Sequence, residues 1–227
     1  MNLKQQAAKS ALGYIRSGMI LGLGTGSTTR YFIDMLGEEI QKGSLQGILA
    51  VPTSEATAEQ ARLLGIPLTT LSKNPQLDLA VDGADEVDHK LNLIKGLGGA
   101  FLREKVVEIH ARRFIVVVDE SKIVPRLGVR GPLPVEIIQF GAHAHVEWLN
   151  TLDCQAKLLL EEDGSPVETD NGNYLAHCRF PDGIPDPNML ARTLADRPGI
   201  VEHGLFLGMA DTVVVAEVDG IKILERL

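Results

Sequence analysis

Helix-like and strand-like segments alternate through the first half of the chain, which is the rhythm of a parallel α/β fold. The amphipathic stretch Leu3 to Ser17 predicts a helix and leads into an apolar strand, Met19 to Leu23. A Gly/Ser/Thr turn follows, then a helix with Ser27 or Thr28 near its N-cap. Leu45 to Val51 reads as a second strand, Ser54 to Leu64 as a helix opened by Ser54 and closed by Gly65, and Ile66 to Leu71 as a short third strand. Asp78 to Val81 and Phe114 to Asp119 add two more. The latter carries Ile115, Val116, Val117 and Val118 in a row, as expected of a strand buried on both faces of a sheet.

The texture changes at Arg130-Gly131-Pro132-Leu133-Pro134, where two prolines and a glycine interrupt any regular element. Beyond it the sequence predicts a helix (Val135 to Leu149), strands (Gln155 to Leu160 and Tyr174 to Arg179), a helix (Pro187 to Ala195) and an edge segment near Ile200 to Glu202. Asp211 to Glu217 and Ile221 to Leu224 then regain the apolar strand character of the first half. The expected architecture is a Rossmann-like, mostly parallel sheet with helices on both faces (residues 1–131 and 206–227), plus a small α+β domain (132–205).

With 227 residues and 44% hydrophobic content, the chain can bury a proper core. No apolar run approaches the ~18 residues of a membrane span. Cys154 and Cys178 lack CxxC or Cys/His spacing, so neither a disulfide framework nor a zinc site is expected, which fits a reducing, cytoplasmic setting. A formal charge of -8 opposes nucleic-acid binding by counterion release. Any anionic ligand is therefore small and locally held.

Three segments carry chemistry. Gly22-Leu23-Gly24-Thr25-Gly26-Ser27-Thr28-Thr29 leaves a strand and opens a helix, so backbone N–H groups and the helix dipole converge there in a way that suits a phosphate. It is neither a Walker A loop nor a GxGxxG dinucleotide turn. A plain turn with a Ser/Thr cap is the alternative. Asp78 to Asp88, DLAVDGADEVD, takes a strand into a cluster of acids at the carboxyl edge of the sheet, where open α/β sheets bind ligands. Gly83 allows a sharp turn, so Asp82 and Asp85 can face one pocket and accept hydrogen bonds from sugar hydroxyls or ligate a cation. A solvated acidic turn is the alternative, and metal is the weaker functional reading, since no histidine accompanies the acids and the EF-hand pattern is missing. In Ile94 to Lys105, IKGLGGAFLREK, a lysine and three glycines precede a helix with the apparent apolar stripe Leu102, Val106 and Ile109. Glu104 lies off that stripe and Lys95 is a point charge for an anion or developing oxyanion, unless Glu104 is simply solvated between Arg103 and Lys105. Lys122, after Val118-Asp119-Glu120-Ser121, reads on its own as a surface lysine. His143 and His145 are two apart and cannot form the usual helical metal pair.

In order, GTGST, VDGADEVD, IKGLGGAFLREK, DESK and PLPVE resemble the successive signatures of the A-type ribose-5-phosphate isomerases across nearly the whole chain. The resemblance implies cofactor-free and metal-free interconversion of ribose 5-phosphate and ribulose 5-phosphate, with the small domain as a lid, in a homodimer or homotetramer. It implies Glu104 as catalytic base, Asp82 and Asp85 as the pair lining the sugar, and Lys95 and Lys122 as ligand-site lysines. It places Thr25, Gly26, Ser27 and Thr28, Gly83 and Ala84, and Gly96, Leu97 and Gly98 around the substrate, with Lys4 as a further phosphate-side lysine. The sequence departs from the family pattern at Leu97, where glycines usually run on after the lysine; this bears on which backbone N–H groups face the ligand. Enclosure and the nearby acids are expected to raise Glu104 above the ordinary value of about 4.3, making it a stronger base. Rival readings are a non-catalytic sugar-phosphate sensor, an amino-sugar phosphate deaminase and a coenzyme A transferase.

Overall fold

The structure, a computed structural model, describes residues 1–226. In chain order its elements are α1 (Leu3–Leu12), β1 (Ile20–Leu23), α2 (Ser27–Gln41), β2 (Leu49–Pro52), α3 (Glu55–Leu63), β3 (Leu79–Asp82), β4 (Glu86–Val87), β5 (Leu93–Ile94), α4 (Phe101–Glu108) and β6 (Phe114–Asp119). After these come β7 (Leu133–Ile137), α5 (Ala142–Leu149), β8 (Gln155–Leu158), β9 (Tyr174–Arg179), α6 (Pro187–Ala195), β10 (Ile200–His203), β11 (Leu205–Phe206), β12 (Thr212–Glu217) and β13 (Gly220–Glu225).

The central sheet has six strands in the order β13-β12-β6-β3-β1-β2. All neighbours are parallel except β13, which returns antiparallel to β12. Alternation along β6 shows why the valine run is fully buried. Ile115 and Val117 pack with α1 and α2 on one face, through Ala7, Ala8, Phe32 and Ile33. Val116 and Val118 pack on the other, against Phe101 of α4 and Phe206 of β11. Two-sided burial of this kind requires helices on both faces and favours β-branched residues.

A four-stranded antiparallel sheet, β10-β7-β9-β8, packs with α5 and α6 to form the small domain. A three-stranded antiparallel ribbon, β11-β5-β4, joins the two units: Leu93 belongs to the core of the large sheet and Ile94 to that of the small one.

Three expectations are corrected. Residues 135–149 are not one helix: β7 runs through Ile137, and α5 starts only after Gly141, which sits at φ +69. Leu133, Val135 and Ile137 alternate into one core, the period of a strand. Ile66 to Leu71 forms no full strand; a single bridge, Ala50 to Leu68, is all that pairs. The stripe assigned to α4 faces the wrong way, since Val106 is 41% and Ile109 64% exposed, while Phe101, Glu104, Val107 and Glu108 are buried.

Candidate active site

Four connections at the carboxyl ends of strands meet in one cleft of about 110 Å³: the loop after β1, the turn after β3, the glycine-rich segment after β5 and the short helical turn after β6. Its lining takes in Thr25 through Thr28, Gly83 through Asp85, Lys95, Gly96, Gly98, Glu104 and Lys122. Larger grooves exist, one of about 650 Å³ between α3 and α4, but they do not gather a buried base and a buried cation. Three of the expected residues, Asp82, Leu97 and Lys4, stand apart from the lining. Asp82 is completely buried beneath the floor, and Leu97 turns a 39%-exposed side chain outward.

Asp82 organises that floor. Its Oδ1 accepts hydrogen bonds from the N–H groups of Thr25 (3.0 Å) and Gly83 (2.6 Å) and from the Thr29 hydroxyl (3.1 Å). Gly24 lies so close that a Cβ there would overlap the Asp82 carboxyl group. Below the cleft, Lys95 Nζ donates to the Gly83 carbonyl (2.7 Å) and lies 2.7 Å from Asp82 Oδ2, 3.2 Å from Glu104 Oε2 and 3.5 Å from Glu108 Oε1. Burial disfavours the ammonium, but the three carboxylates overcome this and hold Lys95 well above the usual lysine range. Burial pushes Glu104 up to about 8; repulsion from Asp82 adds to this, and the attraction of Lys95 only partly offsets it. A carboxyl so placed is a much better proton acceptor than a solvated one.

The glycine segment is fixed by its backbone. Gly96 adopts φ +103, and a Cβ there would meet the Phe101 ring. The N–H of Leu97 donates to Asp85 Oδ2 at 3.0 Å, which commits that N–H to the protein. On the opposite wall, α2 starts at Gly26 without a side-chain cap, which leaves the N–H groups of its first turn available. Lys4 donates to the Ser27 hydroxyl at 2.8 Å, bringing a cation to that wall, and Lys122 adds another to the lining of the cleft. The Thr25 hydroxyl is engaged with Thr53, Ser54 and Thr57 and shapes the loop from behind.

The profile described as "Ribose 5-phosphate isomerase A (phosphoriboisomerase A)" matches residues 49–220. Ribose-5-phosphate isomerase A of Roseiflexus castenholzii is 51% identical over 222 residues, covering 98% of this chain and 94% of that relative. The chain belongs to the A-type ribose-5-phosphate isomerases. Among solved members of the family, a D-ribose-5-phosphate isomerase in complex with phospho-erythronic acid superposes with a TM-score of 0.96 at 43% identity over 100% of both chains. The enzyme from Methanocaldococcus jannaschii gives 0.93 at 39%, covering 98% of each.

Sequence reasoning missed Glu108, the third carboxylate on Lys95. Its spacing of four from Glu104 puts both on one helical face and was the available signal. It also missed Thr29 and Gly24, which hold Asp82 in place. Among the described residues no group of three or more His, Cys, Asp or Glu side chains is arranged to hold a metal ion. The three carboxylates of this isomerase family member converge instead on the Lys95 ammonium.

Proposed function

We propose that the protein interconverts D-ribose 5-phosphate and D-ribulose 5-phosphate through an enediolate, as an aldose-ketose isomerase of the non-oxidative pentose phosphate pathway, with Glu104 as the base. The observation that carries this assignment is the placement of Glu104, 4% exposed, on the cleft wall and 3.2 Å from a buried ammonium. In the ionised form Glu104 takes the proton from C2 of the open-chain aldose. The electron pair forms the C1–C2 double bond, and the carbonyl electrons move to O1. As O2 re-forms a carbonyl, its proton passes to O1 and Glu104 returns its own proton to C1.

Negative charge on O1 is met by Lys95 and by N–H groups of the Gly96 to Gly98 segment, with the Leu97 N–H held by Asp85. Removing one such donor commonly costs about 3 to 4 kcal/mol of transition-state stabilisation. The first turn of α2, Lys4 and Lys122 form the phosphate end, where N–H groups, dipole and two ammonium groups favour a dianion. Asp85 takes a sugar hydroxyl, and Asp82 acts from beneath through Lys95 and the Thr25 backbone. The ligand named for one solved relative, phospho-erythronic acid, supports this layout: its planar carboxylate matches the two oxygens of an enediolate.

Residues 132–205 serve in this reading as a lid and oligomer-forming domain over a catalytic unit of residues 1–131 and 206–227. Arg103, next to the base, supports the lid role by donating to the Asp170 carbonyl (2.8 Å) and Asn171 Oδ1 (2.9 Å) in the small domain. The protein is then a cytoplasmic homodimer or homotetramer. The test is a coupled assay with ribose 5-phosphate in EDTA, alongside sedimentation analysis. Full turnover in the chelator and a dimeric or tetrameric mass are expected; no turnover of ribose 5-phosphate rejects the assignment.

A further inference from the structure

The cluster around Lys95 contains one more carboxyl than the reaction uses. Glu108 sits one turn beyond Glu104 on α4, 3% exposed, outside the lining of the cleft. Its Oε2 has no hydrogen-bond donor and its Oε1 only the Lys95 ammonium at 3.5 Å, while Oδ2 of Asp82 and Oε2 of Glu104 likewise have no partner but that ammonium. With Asp82, Glu104 and Glu108 all ionised against one ammonium, two net negative charges would lie among side chains at most 5% exposed. Burial of uncompensated charge on that scale is strongly unfavourable. A proton within the cluster removes one charge and supplies a donor to an orphaned oxygen. Asp82 already receives three donors on Oδ1, and Glu104 has to be free to accept the substrate proton. Glu108 has the longest of the three contacts to Lys95, at 3.5 Å, and no duty in the cleft.

We propose that Glu108 is a positioning residue that carries a proton in the resting enzyme and donates it in a hydrogen bond to Asp82, leaving the Lys95 ammonium to Asp82 and Glu104. Its role in turnover rests on the isomerase reading; its protonation does not. An ionised Glu108 would compete with Glu104 for Lys95 and draw the ammonium away from the cleft. The groups facing Glu108 are Lys95 from the segment after β5, Asp82 from the end of β3, and Glu104 and Lys105 from its own helix. Lys105 is turned to Glu202 and to the His203 carbonyl, both at 2.7 Å. Burial pushes the Glu108 carboxyl well above its ordinary range, Lys95 opposes this, and Asp82 and Glu104 reinforce it.

Two variants and one spectrum test the proposal. Glu108→Met keeps the side-chain length and removes the donor, whereas Glu108→Gln keeps a neutral N–H donor. Expected is a fall in kcat of about 10-fold or more for Glu108→Met with KM nearly unchanged, and recovery of most of that loss in Glu108→Gln. A Gln variant as impaired as the Met variant, or a Met variant as active as the parent, overturns the proposal. The second readout is the infrared difference between parent and Glu108→Gln without substrate at about pH 9, where Glu104 is ionised. A carbonyl stretch of a protonated carboxylic acid, shifted in D₂O, is expected from the parent, and its absence overturns the proposal even where Glu108→Met fails to fold. This spectrum needs no substrate, whereas failure of the isomerase reading shows as a parent protein inactive on ribose 5-phosphate.

Discussion

Glu86 and Glu136 are as deeply buried as Glu104 and Glu108, yet the two pairs meet opposite surroundings. The Glu86 carboxylate accepts the N–H groups of Gly128 (2.6 Å), Arg130 (2.8 Å) and Gly131 (2.9 Å), pinning the crossing into the small domain. Oε1 of Glu136 accepts from Thr169, Asn171 and Asn173 and gathers the loop that reaches Arg103. Neither forms an ion pair with a lysine or arginine side chain among the described residues. Glu104 and Glu108 share a cation and are short of donors. A carboxylate given three neutral N–H or O–H donors is a staple, because its charge is spent on holding geometry. One left short of donors keeps an appetite for a proton, which is what a base requires.

The sharpest way to break this contrast is to neutralise one member of each pair. Glu104→Gln should lower kcat by about 10³-fold or more while phospho-erythronic acid still binds, as measured by steady-state assay and calorimetry. A Gln variant with ordinary turnover would remove Glu104 from the mechanism. Glu86→Ala leaves one buried and two part-buried N–H groups without their partner and should destabilise the fold by about 2 to 4 kcal/mol, read by urea denaturation. The next effect is a pH dependence with a definite sign. A carboxyl held at about 8 when folded, against 4.5, binds its proton more tightly in the native state. That stabilisation is complete below the unfolded value and is lost as pH rises through about 8, so Tm should decline over this window and Glu104→Gln should flatten the decline. Smallest is Glu136→Gln, which keeps the Oε1 acceptor and places an N–H₂ where Oε2 has no partner. A stability change within about 1 kcal/mol is expected from thermal melts, and a larger loss would mean that its charge matters.

How far the sequence could be read follows from which force dominates locally. β6, β9 and α6 were legible to the residue because strong local signals agree with burial: a β-branched run, an alternating strand, and a helix opened by Asp186 and Pro187. β7 was read as helix because its inward Leu133, Val135 and Ile137 are interleaved with Pro134 and with a buried glutamate, which obscures the period of two. On α4 the misreading is more instructive. Apolar residues at Leu102, Val106 and Ile109 mimic a core stripe, while the face turned inward carries two glutamates. The cation that offsets part of that burial, Lys95, lies six residues before the helix begins. The turn segments of the site were legible because glycines and acids at strand ends have few other reasons to cluster. The floor was not, since Thr29 and Gly24 matter only through their distance to Asp82.

Gly24 carries a consequence for how this gene can vary. Any side chain at position 24 would occupy the space of the Asp82 carboxyl group, whereas at Gly26 no atom lies within 4 Å of an added Cβ and only the backbone angle of +133 resists substitution. In a saturation library selected for growth on ribose, position 24 should return glycine alone. Position 26 should return glycine as well, since φ +133 with ψ 172 lies in a backbone region that is essentially glycine's alone. Two glycines a single residue apart would thus be fixed in a lineage by different means, one by the space a carboxyl group fills and the other by the path of the chain.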